Sequence, residues 1–140
     1  MACTRFLRMM QLMPVRTECD IKAAYIEHPG PPESIRYGEL PAPVVGEQDV
    51  LVKVAAVTVD PIDTYIRSGT YKMPLPWPFI VGRDMIGAVA QIGTAVRRLK
   101  PGERVWANNQ GYDGRQGTSA EYVSVDERLL EKQMAALLRI

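Results

Sequence analysis

Val59-Asp60-Pro61-Ile62-Asp63-Thr64-Tyr65-Ile66-Arg67-Ser68-Gly69-Thr70-Tyr71 is the stretch around which this 140-residue chain is organised. It reads as one short helix. Asp60 can accept from the first free amides, Pro61 suits the first helical position, and Asp63 sets negative charge in the first turn. Gly69 supplies the stop. Ile62, Tyr65 and Ile66 share a face at i, i+3 and i+4, which predicts that most of the element packs inward.

On either side of this helix the pattern is strand, turn, strand. Residues 21–27 and 35–40 read as strands separated by the turn-rich 28–33, where His28 is a surface turn residue. Residues 50–57 are apolar on both faces apart from Lys53 and predict a buried central strand. Three prolines (Pro74, Pro76, Pro78) keep 73–79 out of any regular element. Long ordered loops often cover binding sites, so Trp77 and Phe79 either line one or fill the edge of the core. Glycines 82, 87 and 93 in the apolar run 80–93 mark bulges or close backbone approaches. The segment 100–105 is a tight turn into a strand, 108–117 is a polar glycine-rich loop, and 118–125 returns as a strand. Short strands with one short helix predict a mainly β fold, a small barrel or sandwich.

Composition narrows the function. A net charge of +1 with mixed signs gives no electrostatic case for nucleic acid or an anionic membrane. No apolar run approaches the length that spans a bilayer. Cys3 and Cys19 both precede the domain-like sequence and form no C-x-x-C pair or Cys/His cluster, so a reducing compartment is the simpler reading. Residues 1–20 carry Arg5, Arg8 and Arg16 with no acid before Glu18. They read as an upstream extension, expected to be poorly ordered, or as a weak organellar transit peptide. No G-x-G-x-x-G loop joins a strand to a helix; Gly111, Gly114 and Gly117 have similar spacing but lead into a strand. No Rossmann domain is expected in this chain.

Several segments carry a resemblance. "DPIDTYIRSGTY" at 60–71 is close to the NPxDxYxRxGxY signature of zinc-free quinone oxidoreductases of the zeta-crystallin type, within the medium-chain dehydrogenase/reductase superfamily. "VGRDMIG" at 81–87 resembles PGxDxxG, with Val81 in place of proline, and "KPGERV" and "GTSAEYV" resemble KxGDRV and GxxAEY. The resemblance covers roughly 21–130 and implies a GroES-like, partly open β-barrel with one or two short helices. It leaves 1–20 as a leader and 131–140 as an atypical tail, in which Met134, Leu137 and Leu138 fall at helical spacing.

The resemblance also implies a function. This domain would be the substrate-side half of an NADPH-dependent quinone oxidoreductase, in which hydride passes from the nicotinamide to a quinone or α,β-unsaturated carbonyl. Tyr65 is implied to contact the cofactor and face the substrate, its phenol donating to an oxygen. The open alternative is a core aromatic with its hydroxyl at the surface. Asp60 stands where the family has asparagine; it is a neighbouring polar contact or chiefly a helix cap. Arg67, Tyr71, Trp77 and Phe79 are the remaining pocket candidates. Zinc is not expected, because Asp60 and Arg83-Asp84 stand where zinc-dependent relatives have cysteine and His-Glu, and a guanidinium cannot ligate. The chain alone should be inactive and cytoplasmic, organellar if 1–20 act as a targeting segment. The other function class is a non-catalytic module or truncated fragment that binds a separate nucleotide-binding domain or a full-length homologue through an exposed apolar patch.

Overall fold

A computed structural model describes residues 19–134. The reading of 1–20 as a leader falls outside these residues except at Cys19 and Asp20, and Leu137 and Leu138 of the expected tail also lie outside them. The order is β1 (Asp20–Ile26), a 3₁₀ turn (Pro32–Ser34), β2 (Arg36–Pro41), β3 (Asp49–Val57), α1 (Pro61–Ser68), β4 (Phe79–Ile80), β5 (Met85–Ile92), β6 (Arg104–Ala107), β7 (Tyr122–Asp126), a second 3₁₀ turn (Glu127–Leu129) and β8 (Glu131–Lys132).

Two sheets make a partly open barrel. One runs β2-β1-β4 and the other β7-β3-β5-β6-β8, all neighbours antiparallel. The segment before β7 stitches them together. The Ala24 amide donates to the Ser119 carbonyl at 2.8 Å and the Glu121 amide to Lys22 at 3.0 Å, while Val54 donates to Glu121 at 3.0 Å. This change of partner is why the strand expected from residue 118 begins only at Tyr122; before it, Ala120 makes a single bridge to Ala23.

The main core lies inside the larger sheet. Val50, Val52, Val89, Leu99, Val105, Val125 and Leu130 are among its buried side chains. A second cluster of Ile26, Ile66 and Phe79, flanked by Ile62, Met73, Leu75 and Val81, seats α1 on β1. β3 is central by pairing, with β7 on one side and β5 on the other. Its burial is uneven, which corrects the expectation of a fully buried strand: Val50, Leu51 and Val52 are buried, whereas Lys53 and 55–57 are exposed. Gly87 fits the close approach of β5 to this strand. A Cβ there would sit on the Lys53 carbonyl oxygen and 2.7 Å from Val52 Cγ1. The sheet continues past residue 130, because β8 pairs with β6 and the Gln133 amide donates to Arg104 at 2.9 Å.

Candidate functional site

α1 forms where its local signals predict. Asp60 is the N-cap with extended backbone, Pro61 opens the helix, and Gly69 ends it at φ +81°, a left-handed conformation that favours glycine. Asp60 and Asp63 form a capping box. Its firm arm is the Asp60 amide donating to Asp63 Oδ2 at 2.8 Å. On the other side the Asp63 amide donates to the Asp60 main-chain carbonyl at 3.0 Å, and Asp60 Oδ2 accepts the Thr58 hydroxyl at 3.0 Å. The Asp60 carboxylate thus serves the helix start and is also tied to Thr58, just past the end of β3.

Asp63 is the electrostatically unusual member. Its Oδ1 is buried with no hydrogen-bond partner. Burial pushes its carboxyl above the usual range; the Asp60 amide and Arg83 pull it down, and the charges of Asp60 and Asp84 push it up.

The aromatic candidates separate. Tyr65 is 52% exposed, so the inward face of α1 is carried by Ile66 and, in part, Ile62. The core reading of Tyr65 is thereby corrected: its position on the helix turns it away from the cluster that holds Ile66. Tyr71 is also exposed, and its amide donates to the Tyr65 carbonyl at 3.0 Å, so the two tyrosines leave the same turn. Trp77 is exposed, but Phe79 is a core residue packed with Ile26 and Ile66. At 2% exposure Phe79 fills the edge of the core, the second of the two readings the sequence left open for it. Arg67 is half-buried; its carbonyl accepts from Gly30 at 2.9 Å, and its Nε is buried without a partner.

Beside the Asp60 end lies a set that the sequence reading did not assign. Arg83 Nη2 donates to Asn109 Oδ1 at 2.6 Å, and its guanidinium stands 5.7 Å from the Tyr112 ring centre. Arg115 approaches the same ring at 6.0 Å and donates to the Asn109 carbonyl at 3.0 Å. Asp84 Oδ1 accepts the Asn109 amide at 3.2 Å. Gln116 locks the proline loop, accepting from the Ile80 amide at 2.7 Å and donating to Pro78 at 2.8 Å. The segment "VGRDMIG" and the glycine-rich loop 108–117 contain these residues, but only the fold brings them together. A groove of about 360 Å³ opens here, lined in part by Thr58, Asp84, Ile86, Trp106 and Asn108. That volume falls within the range of small-molecule pockets.

The groups present define what the site can hold. Among the described residues no cluster of three His, Cys, Asp or Glu is placed to hold a metal ion. A dinucleotide pyrophosphate needs free amides and a neutral or positive helix start. The start of α1 instead carries two carboxylates, and one of them already occupies the Asp60 amide. The start of α1 therefore does not suit a phosphate group.

A family model described as the alcohol dehydrogenase GroES-like domain matches residues 46–134. An NADPH-dependent alkenal/one oxidoreductase, chloroplastic, of Arabidopsis thaliana is 39% identical over 93 residues, covering 63% of this chain and 24% of that protein. A quinone oxidoreductase of Lama guanicoe is 36% identical over 90 residues, covering 64% of this chain and 27% of that one. The solved quinone oxidoreductase of Pseudomonas syringae pv. Tomato DC3000 superposes with a TM-score of 0.74 at 31% identity, over 83% of this chain and 34% of its own. A mycobacterial protein solved in complex with NADPH gives 0.71 at 29% identity, over 82% and 33%. The chain thus spans about a quarter of the length of the curated relatives it matches.

Proposed function

Because this chain belongs to the alcohol dehydrogenase GroES-like domain family, we propose that it is the substrate-side half of an NADPH-dependent reductase of quinones or α,β-unsaturated carbonyls, inactive without a nucleotide-binding domain. The observation that carries the proposal is the exposed Tyr65 on α1, the helix whose Asp60 end is tied to Thr58 on the wall of the 360 Å³ groove. The nicotinamide, brought by another domain, supplies the hydride. This chain orients the acceptor.

Tyr65 donates its phenolic proton to the acceptor oxygen, on which negative charge grows during reduction. Asp60, as an ionised carboxylate, opposes that charge and can only accept. Trp106 and Ile86 give the groove an apolar wall, which suits a planar quinone or enone. Tyr71 and Trp77 are the outer contacts, and Arg67 supports the helix end rather than the reaction.

The test is a chimera in which this chain replaces the matching domain of the Pseudomonas quinone oxidoreductase, assayed for NADPH oxidation with 1,4-benzoquinone and with a 2-alkenal. The expected result is acceptor-dependent oxidation by the chimera and none by the 140-residue chain alone. A folded chimera that binds NADPH and reduces neither acceptor overturns the proposal. So does micromolar NADPH binding by the isolated chain in titration calorimetry.

A second reading, a module that binds a separate nucleotide-binding domain or a homologous subunit, is favoured by one observation. Ala56, Ile86 and Trp106 stand in register across β3, β5 and β6, and all three are exposed. Together they form an apolar row on the outer face of the sheet.

A further inference from the structure

The groove beside Thr58 does not end at Ile86. Ile86 also lines a second groove of about 340 Å³, whose other walls include Lys53, Gly87, Ala88 and Arg104. The register explains why the two run together. Ala56, Ile86 and Trp106 form one row across β3, β5 and β6, and Lys53, Ala88 and Arg104 form the next. A bulge between Val54 and Ala56 brings Lys53 and Ala56 to the same face, because residues three apart in a regular strand point to opposite faces. That face is the outer one. Lys53 and Arg104 are exposed, whereas their neighbours Val52 and Val105 are buried in the main core.

Charge and length select the ligand. Lys53 and Arg104 flank the small Ala88 and make no ion pair among the described residues. No carboxylate among the described residues lines their groove. Glu103 is bonded to Lys132 at 3.1 Å, and Glu131 stands beyond Trp106 on β8. At the opposite end, Asp84 lines the groove beside Thr58. The joined groove is thus acidic at one end, apolar over Ile86 and Trp106, and basic at the other end. Asp84 and Ala88 are four residues apart, about 14 Å at the ordinary strand rise.

We infer that the joined groove selects an acceptor with an anionic tail: an α,β-unsaturated carbonyl whose far end carries a carboxylate, on a chain of about twelve carbons that matches this span. The carbonyl lies at the Thr58 end, the chain over Ile86 and Trp106, and the carboxylate between Lys53 and Arg104. The reversed orientation sets the carboxylate against Asp84 and Asp60, where like charges repel. Lys53 and Arg104 are therefore specificity-determining residues and take no part in the chemistry. The inference rests on the reductase reading and adds the substrate class to it. The double bond takes a hydride at its β-carbon from NADPH and a proton at the carbonyl oxygen from Tyr65. The resulting enol tautomerises to the saturated carbonyl, with NADP⁺ as the other product.

The experiment uses the chimera described above with NADPH, and compares 12-oxo-10-dodecenoate with its methyl ester, taking 1,4-benzoquinone as the reference acceptor. The acid and the ester share one body and differ only in charge. kcat/KM should be about tenfold higher for the acid, the scale of a charge-assisted contact, and the ratio should shrink at high salt. Lys53→Gln with Arg104→Gln should bring the ratio to about one. Lys53→Glu with Arg104→Glu should reverse it. Both side chains are exposed, and the uncharged ester reports any fold defect in these variants. Equal rates for acid and ester, or a preference for the acid that survives both double substitutions, overturn this inference alone when benzoquinone is still reduced. A folded chimera that reduces none of the three acceptors overturns the reductase reading, and this inference with it.

Discussion

Asp63 accepts the amide proton of Asp60 at 2.8 Å with one carboxylate oxygen, while its other oxygen is buried and unpaired. The same side chain therefore stabilises the helix start and carries a poorly solvated charge. These two effects can be separated by substitution. Asp63→Ala removes the acceptor and should destabilise the chain by about 1 kcal/mol, the usual worth of a cap. Asp63→Asn keeps an acceptor and removes the charge, so at pH 7 it should be at least as stable as the parent.

The pH dependence has a definite sign. Burial raises the folded-state pKa of Asp63 above its unfolded value, so the folded chain binds more protons between the two. The contribution of this group is fullest below the unfolded value and is lost as pH rises through the folded one. The parent should therefore gain on Asp63→Asn as pH falls toward about 4. Urea unfolding of both proteins at pH 7 and pH 4 checks this. A gap that widens in favour of Asp63→Asn on acidification would contradict it.

Gly87 allows β5 to lie close against β3. Gly87→Ala drives a methyl into the Lys53 carbonyl and the Val52 side chain, in a pair of strands that shares the main core. The cost should be about 2–3 kcal/mol, the scale of overpacking that moves backbone. Gly69→Ala, at φ +81° with Pro29 Cβ 2.9 Å from the added carbon, should cost less, about 1–2 kcal/mol. Denaturant midpoints of the two variants give the order directly.

The helix was legible because its signals are local. Asp60, Pro61 and Gly69 act within one or two turns, and all three hold the positions their chemistry predicts. The strands followed from apolar runs and punctuation by glycine and proline. Exposure was less legible. Residues 55–57 look as apolar as 50–52, yet only the first half of β3 is covered, and sequence alone does not show where a second layer ends. Tyr65 shares a helical face with Ile66 on paper, but it lies at the rim of that face. The Arg83–Asn109 bond joins two loops 26 residues apart, and no periodicity reports such a contact.

Trp106 and Ile86 face each other across β6 and β5 and are both exposed. Ile86→Lys with Trp106→Lys should leave folding intact, because neither side chain belongs to a core cluster. In the chimera with a nucleotide-binding domain, the pair should lower thermal stability or separate the halves if that row is their contact. Circular dichroism of the isolated chain and gel filtration of the reassembled halves distinguish a fold defect from a lost interface.

Tyr65 and Asp60 make opposite predictions in the same chimera. Tyr65→Phe removes a phenol that is bonded to no other described residue, so stability should change by less than about 0.5 kcal/mol. If the phenol donates to the acceptor oxygen, kcat/KM should fall about tenfold or more, the worth of a hydrogen bond to developing charge. Asp60→Asn keeps an oxygen for the Thr58 hydroxyl and adds a donor where a carboxylate opposed the growing charge. It should preserve the fold and raise the rate. A rise with Asp60→Asn and a fall with Tyr65→Phe would place both groups at the reacting oxygen. Unchanged rates in both variants would mean that Asp60 and Tyr65 serve the helix and its surface alone.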